Sequence, residues 1–391
     1  MLTVLLSVVL AAPDAQSTDL AGRTRAAAQA MRDGRFAEAA AIYRDVTQLA
    51  PRVPSGWYAL GQAYNGIKQD ALGTFDDPRE DASWRQLLTA DALLANGQLT
   101  DAFALYRAAL ERLPSMVSIH DSVARIYERT GHAGWAARER ATGTRSTADC
   151  ARRQALCEFR AGRYRSALAA ALAQPDSESR YWRARAANEL ALAAFKHLDA
   201  LPDSRERRAM RAAVARAEER YTDAIAELKA ARVFAPADPE LRYELGSAYY
   251  AARDFEQAIA TLSPLLQAHP DEARLLELVG YSLLKLRRPD EAVPLLQRAV
   301  ARDASDPGPR LALGRAYLQN GDYAAAVPLI EAQLADDQDG SLHVQLARAY
   351  TSLGQLEKAA VLLARSQDIQ RAAQDRTAAA SQRTITAPPR N

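Results

Sequence analysis

The sequence predicts an all-α fold, an array of about eleven stacked helical hairpins. Three glycines, Gly246, Gly280 and Gly314, follow one another at intervals of 34 residues, and each is followed twelve residues later by an alanine. Alanine is heavily used along the 391 residues, whereas Gly and Pro number only 18 each, a bias that suits closely packed helices. The alternation of apolar and polar residues that is typical of a strand does not persist anywhere. The chain is therefore expected to be a repeat array without a sheet.

The repeat places a small residue wherever the two helices of a hairpin are expected to cross, because helices can approach closely only where side chains are small. At the first crossing point the residues are Ala27, Gly61, Ala90, Ala124, Ala155, Ala186, Ala212, Gly246, Gly280, Gly314 and Ala347. One repeat, near Trp182, is irregular, since the register puts Leu198 at its partner position. Glycines suited to the hairpin turns are Gly34, Gly97, Gly131, Gly162, Gly321 and Gly354.

The register divides the chain into five segments. The spacing of 29 residues between Gly61 and Ala90 predicts that one second helix is cut short near Gly73. Register is less regular after about residue 131, and the pattern fades after about Ser366. The predicted segments are 1–17, a signal peptide; 18–82, N-terminal repeats; 83–204, central repeats; 205–368, regular C-terminal repeats; and 369–391, a disordered tail.

The repeat resembles that of the tetratricopeptide repeat family, whose motif runs W-x2-L-G-x2-Y and continues with a small residue, an aromatic and a proline. Trp57, Leu60, Gly61 and Tyr64 match it, and similar segments begin at Leu241 and Pro309. The resemblance implies a right-handed superhelical solenoid whose inner wall is lined by the first helix of each hairpin. It also implies a non-catalytic scaffold or adaptor that binds a peptide or partner protein in the concave groove.

The same register nominates residues for that groove. In the family, positions five, nine and twelve of each first helix face the concave side, and here they include the candidates Tyr243, Ser247, Tyr250, Tyr281, Arg315 and Arg348. Tyr and Arg are common binding hot spots, so we expect a partner with apolar groups and a carboxylate. The alternative is that the tyrosines pack between helices while the arginines pair with Glu277 and nearby acids.

No motif for catalysis, a cofactor or a metal is found in the sequence. None of the five histidines forms an i,i+4 pair, and there is no Gly-rich phosphate loop or nucleophile elbow. We therefore expect no enzyme and assign no catalytic, cofactor-binding or metal-binding residue. A regulatory module of an enzyme complex is the alternative that stays open.

Charge gives little guidance to a partner, because the net charge is only +2. Residues 128–220 are an exception, with 19 Lys and Arg against 12 Asp and Glu. This Arg-rich segment is either a set of solvated helix faces or a docking site for an acidic partner. No aromatic and basic module typical of RNA binding accompanies it, so nucleic acid is not expected.

The first residues predict export. Residues 2–12 form an apolar run of signal-peptide length, too short to anchor the chain in a bilayer, and no later stretch is long enough to span one. We expect a periplasmic or envelope location, with a cytoplasmic adaptor as the alternative. Cys150 and Cys157 are the only thiols. They can form a disulfide if Cys150 precedes the helix that holds Cys157, or remain two buried thiols.

Overall fold

The computed structural model describes residues 15–73, 82–114, 116–145, 150 and 153–388. Throughout these ranges the regular elements are helices, and no strand is present. The predicted all-α repeat fold is confirmed over these ranges. The chain divides into two compact units, called here unit 1 (Met1–Pro202 with Arg383–Asn391) and unit 2 (Asp203–Gln382). The residues of the predicted signal peptide before Ala15 lie outside the described ranges.

Unit 1 has ten helices in its described part. They are α1 (Ala15–Arg32), α2 (Phe36–Leu49), α3 (Pro54–Gly73), α4 (Ala82–Ala95), α5 (Leu99–Arg112), α6 (Val117–Arg129), α7 (Ala133–Arg145), α8 (Gln154–Arg160), α9 (Tyr164–Leu172) and α10 (Ser177–Asp199). Four hairpins pair α1 with α2, α4 with α5, α6 with α7 and α8 with α9. Each turns through a predicted glycine. Gly34, for example, has φ of 72°, where a side chain costs roughly 1–2 kcal/mol.

Helices α3 and α10 pair with each other, although they are far apart in the sequence. A Cβ placed on Gly61 of α3 would lie 2.3 Å from Cε1 of Phe195, so the glycine makes room for that ring. Lys68 of α3 also donates a hydrogen bond to Asn188 of α10 at 3.0 Å. The sequence instead predicted that the helix of Gly61 pairs with a second helix that contacts it at Gly73 and is cut short there. This prediction is wrong, since Gly61 and Gly73 lie in one helix. Because α3 runs through Gly73 without turning, it has no second helix of its own in the described ranges and packs against α10 instead.

The described part of the chain therefore holds nine hairpins of consecutive helices and one pair, α3 with α10, and not eleven hairpins. The irregular repeat near Trp182 has the same cause. Its Leu198 is buried near the end of α10, which continues to Asp199 as a single helix of 23 residues.

Helix α10 also carries a partly buried polar network that joins it to α4 and α5. Asp91 of α4 accepts hydrogen bonds from the hydroxyls of Tyr106 at 2.5 Å and Tyr181 at 2.9 Å. Arg185 Nε lies 3.5 Å from the same carboxylate, and its guanidinium lies 4.6 Å from the ring centre of Phe159. A buried cation is tolerated only when a partner of opposite charge and hydrogen bonds compensate its lost hydration. Asp91 supplies both to Arg185.

Unit 2 is a regular stack of five hairpins. Its helices are α11 (Arg205–Ala217), α12 (Tyr221–Phe234), α13 (Pro239–Ala251), α14 (Phe255–Ala268), α15 (Ala273–Lys285), α16 (Pro289–Arg302), α17 (Pro307–Asn320), α18 (Tyr323–Glu331), α19 (Ser341–Ser352) and α20 (Leu356–Ser381). Consecutive helices pair, and each hairpin contacts the next in chain order. Two first helices, α13 and α17, start with an Asp-Pro pair. Asp238 and Asp306 accept backbone N–H bonds while the proline occupies the first turn.

The glycines of the 34-residue register lie at the hairpin crossings of unit 2. A Cβ on Gly280 would lie 2.8 Å from Leu296 Cδ2. One on Gly246 would lie even closer to Leu262, and one on Gly314 would lie 3.0 Å from Ile330 Cγ1. Three hairpin turns of unit 2, in contrast, have no glycine, so the search for turn glycines did not predict them. Glu219, Arg253 and Arg287 all adopt positive φ, with values from 57° to 63°.

The two cysteines form a disulfide, with their Cα atoms 5.8 Å apart. Cys150 precedes α8, which begins at Gln154, and Cys157 lies within that helix. This is the arrangement that the sequence required for a bridge, because seven residues of continuous helix would separate the Cα atoms by about 10 Å.

The structure differs from the sequence-based prediction in the segment 369–391, which was expected to be a disordered tail. Helix α20 continues through Ser381, since the segment after Ser366 is rich in Ala, Gln and Arg, which favour helices. Residues 383–388 follow in a non-helical conformation and belong to unit 1.

We expect Gly280→Leu to destabilise unit 2 by about 1–3 kcal/mol, because the new side chain overpacks the crossing of α15 and α16. Repeats couple mainly to their neighbours, so hydrogen exchange should accelerate chiefly within residues 239–340. Gly134→Leu is the matched control, since a Cβ at this α7 glycine meets nothing within 4 Å. Equal acceleration along the whole of unit 2 would contradict the local packing role.

We expect Asp91→Ala to cost unit 1 about 1–3 kcal/mol, because it leaves the partly buried Arg185 without its counter-charge and two tyrosine hydroxyls without their acceptor. Native-state hydrogen exchange of α4 and α10 measures this loss. Asp223→Ala is the control, since its carboxylate pairs with Arg220 on the surface, where such pairs contribute about 0–1 kcal/mol. Equal effects of the two substitutions would show that the Asp91 network does not hold unit 1 together.

Candidate functional site

A groove with a volume of about 920 Å³ lies along the first helices of four successive hairpins of unit 2. Helices α13, α15, α17 and α19 each contribute to its wall. The helices present equivalent positions in turn, because each hairpin stacks on the previous one in the same orientation. The groove therefore repeats a few side-chain positions along its length.

Four of the six candidate residues line this groove, and two do not. Tyr250, Tyr281, Arg315 and Arg348 are in the lining, together with the apolar residues Leu284, Leu311 and Leu318. Tyr243 is outside it, with the guanidinium of Arg274 lying 4.6 Å from its ring centre, and it packs partly against the core. Ser247 is half-buried on α13 and is also absent from the lining.

Cations in the groove have no carboxylate partner among the described residues. Arg315 Nε donates to Gln345 Oε1 at 3.2 Å, and Arg348 is exposed; neither forms an ion pair. No Asp or Glu is in the described lining. Burial raises the pKa of Glu277, and Asp306 adds to the effect, which is the behaviour of a carboxylate without a nearby cation. The structure therefore does not show the pairing of these arginines with Glu277 that the alternative interpretation requires.

Two of the tyrosines that line the groove, Tyr250 and Tyr281, are neutral hydrogen-bond donors. Burial is the main cause that raises the pKa of Tyr250 and of Tyr281, so both hydroxyls keep their protons at neutral pH. The ring of Tyr250 packs edge-on against Phe255, with centroids 5.6 Å apart. A Cβ on Gly308 would lie 3.0 Å from the Tyr281 hydroxyl, so this glycine leaves room for it.

Several groove residues were missed by the sequence register. Lys285 lies one helical turn after Tyr281, on the same face of α15, and extending the pattern by four residues would have found it. Arg287 lies in the turn after α15 and has a positive φ, so it is not part of the helix and the helical register could not predict it. Together with Arg315 and Arg348 they make four cations in one groove.

The Arg-rich segment 128–220 has a different character, because its arginines are extensively paired. Three surface examples are Arg140 with Glu128 at 2.6 Å, Arg163 with Glu158 at 2.6 Å, and Arg208 with Asp203 at 2.7 Å. These contacts favour the interpretation of solvated helix faces over that of a docking site. Paired guanidinium groups must lose existing partners before they can bind an acidic ligand.

Unit 1 contains a second cavity, of about 580 Å³, lined by Lys68, Asp91, Arg125 and Arg185 among others. Asp91 and Arg185 already satisfy each other there, so the cavity adjoins a structural network. Across the described ranges, no group of three or more His, Cys, Asp or Glu side chains is placed to hold a metal. The same part of the chain has no helix with the length and apolarity needed to cross a bilayer.

Family models described as tetratricopeptide repeat match the chain over much of both units. One matches residues 24–83, 86–131 and 243–307, and a second matches residues 283–345. Together they cover more than half of the 391 residues. The groove helices α15 and α17 lie wholly within the matched ranges.

The chain is also similar to individual proteins. It is 30% identical over 95 residues to cell division cycle protein 27 homolog A of Arabidopsis thaliana, a match that covers 24% of this chain and 13% of that protein. Among solved structures, MamA from Desulfovibrio magneticus RS-1 matches with a TM-score of 0.40 and 21% identity, covering 44% of this chain and 98% of that one. YrrB, described as a protein of this family with an unusual peptide-binding site, matches with a TM-score of 0.36 and 24% identity, covering 41% and 83%.

Proposed function

Because this chain belongs to the tetratricopeptide repeat family, we propose that it is a non-catalytic interaction scaffold that binds a peptide or partner protein in the groove along α13, α15, α17 and α19. The observation that carries the proposal is the set of cations that line this groove without a carboxylate partner in its described part. Unpaired guanidinium groups beside aromatic rings are typical of binding hot spots.

The groove chemistry defines the class of partner. Arg315 and Arg348 would each donate hydrogen bonds to a carboxylate. Lys285 and Arg287 add two positive charges to the lining of the same groove. The rings of Tyr250 and Tyr281 and the neighbouring leucines would take apolar side chains. We therefore propose that the bound segment is extended or helical, carries Asp or Glu, and presents apolar residues between them.

We also propose that the scaffold works outside the cytoplasm, in the bacterial envelope. The support is the disulfide between Cys150 and Cys157, because such bonds persist mainly in oxidising compartments. A cytoplasmic adaptor is the competing proposal. Thiol labelling of the protein in rapidly quenched native cells separates the two, since cytoplasmic thiols would be reduced and would react.

We expect the double substitution Arg315→Ala and Arg348→Ala to weaken binding by about 1–3 kcal/mol while the helical content stays unchanged. Ligands come from short random peptides selected on the parent protein, and calorimetry at two salt concentrations measures their affinity. Selected peptides should be enriched in Asp and Glu. Their affinity should fall with salt for the parent and much less for the double variant.

The matched control replaces Arg298 and Arg302 of α16 with alanine. These arginines pair with the exposed Asp271 at 3.2 Å and 2.6 Å, so the same net charge is lost outside the groove. The control should bind the selected peptides as the parent does. Equal binding by the groove variant and the parent would show that the groove assignment is wrong. The Arg-rich segment 128–220 would then be the better candidate for the binding site.

A further inference from the structure

Residues 383–388 lie against unit 1 in the manner of a bound peptide. The segment is non-helical, and its residues Thr384, Thr386 and Ala387 are exposed. The hydroxyl of Tyr127 in α6 donates a hydrogen bond of 2.7 Å to the backbone carbonyl oxygen of Thr386. The Tyr127 side chain is itself fully buried, so this bond fixes the main chain of the segment at a defined point.

The side chains of Arg383 and Ile385 make the other contacts of the segment with unit 1. Ile385 is half-buried and packs against the apolar cluster that contains Phe103 and Tyr127. Arg383 Nη1 lies 3.1 Å from Asp101 Oδ1 in the first turn of α5. Residues 383 and 385 both contact unit 1, the spacing expected of alternate side chains in an extended peptide. The segment thus presents a cation and an aliphatic group to one surface.

The receiving surface is rigidly built. The ring of Tyr127 packs between Phe103 and Trp135, with centroid distances of 5.6 Å to each. Burial is the main cause that raises the pKa of Tyr127 to about 12, so its hydroxyl remains a donor at neutral pH. Arg383 is the one cation that pairs with Asp101 among the described residues. A hydrogen bond donated to the peptide main chain, an apolar contact and a single charge are the elements by which extended peptides are recognised.

We propose that the surface formed by Asp101, Phe103 and Tyr127 is a second peptide-docking site, that it accepts an extended segment with the pattern Arg-x-Ile, and that residues 383–388 of the same chain are its resident occupant. A partner segment with this pattern binds only by displacing the resident. The site takes a basic and aliphatic segment, whereas the groove of unit 2 takes an acidic one. The two proposals therefore stand or fall separately.

The test uses the full chain and a fluorescent synthetic peptide that spans residues 381–391. A tethered segment competes at an effective concentration in the millimolar range, so the parent should bind the free peptide weakly. Ile385→Asp should release the resident segment, because it places a charge against the apolar cluster. We expect this variant to bind the peptide at least about ten-fold more tightly than the parent in fluorescence anisotropy.

Thr384→Asp is the matched control, since it introduces the same charge at an exposed neighbour and should leave binding as in the parent. The free peptide with Ile replaced by Asp should not bind any of the proteins. In the Ile385→Asp chain, the additional change Tyr127→Phe should weaken peptide binding by about five- to ten-fold, because the main-chain hydrogen bond is lost.

Trypsin cleavage after Arg383 gives a second measurement that does not depend on the added peptide. Cleavage should be slow in the parent and in Thr384→Asp, and faster in Ile385→Asp. Equal cleavage rates in all three proteins, or no gain in peptide affinity in Ile385→Asp, would overturn the proposal. A dimer of the parent that Ile385→Asp dissociates would overturn the assignment of the resident to the same chain.

Discussion

Close approach of helices at glycine and alanine is the constraint on which both units depend. The two helices of a hairpin can bury a continuous apolar seam only if one side of their crossing carries no bulk, and the chain supplies such a position in every hairpin of unit 2. Gly280 shows the consequence most clearly, because Leu296 occupies the space that a side chain would fill. Once the crossings are fixed, the outer positions of the first helices repeat in space, and the groove is a result of that repetition.

The sequence predicts the helical repeat and part of the groove, because both follow from periodicity. The register that found Gly280 also found Tyr281 and Arg315, since all three positions are set by the same helical geometry. It failed at Gly61, where a small residue shows that something packs closely but not which helix does so. Phe195, which fills that space, lies in a distant part of the chain, and no local pattern links the two positions.

Other differences have equally local causes. Arg253 and Arg287 occupy turn positions that usually need glycine, so a search for turn glycines passes over them. Tyr243 fits the groove register, but Arg274 from the next hairpin covers its ring. Exposed arginines are mostly paired over residues 128–220, whereas Arg315 and Arg348 have no ion pair in the described structure. The groove is distinguished by four cations that share one lining without an Asp or Glu in its described part, and not by the number of arginines.

The pairing of α3 with α10 affects how unit 1 can be made. Contacts in unit 2 join hairpins that are adjacent in the sequence, so each hairpin can fold soon after it is synthesised. Lys68 and Asn188, in contrast, are 120 positions apart. At ordinary rates of translation, α3 waits roughly ten seconds on the ribosome before α10 has been made. During that interval the face of α3 around Gly61 has no partner helix, so we expect unit 1 to be more exposed to misassembly during synthesis than unit 2.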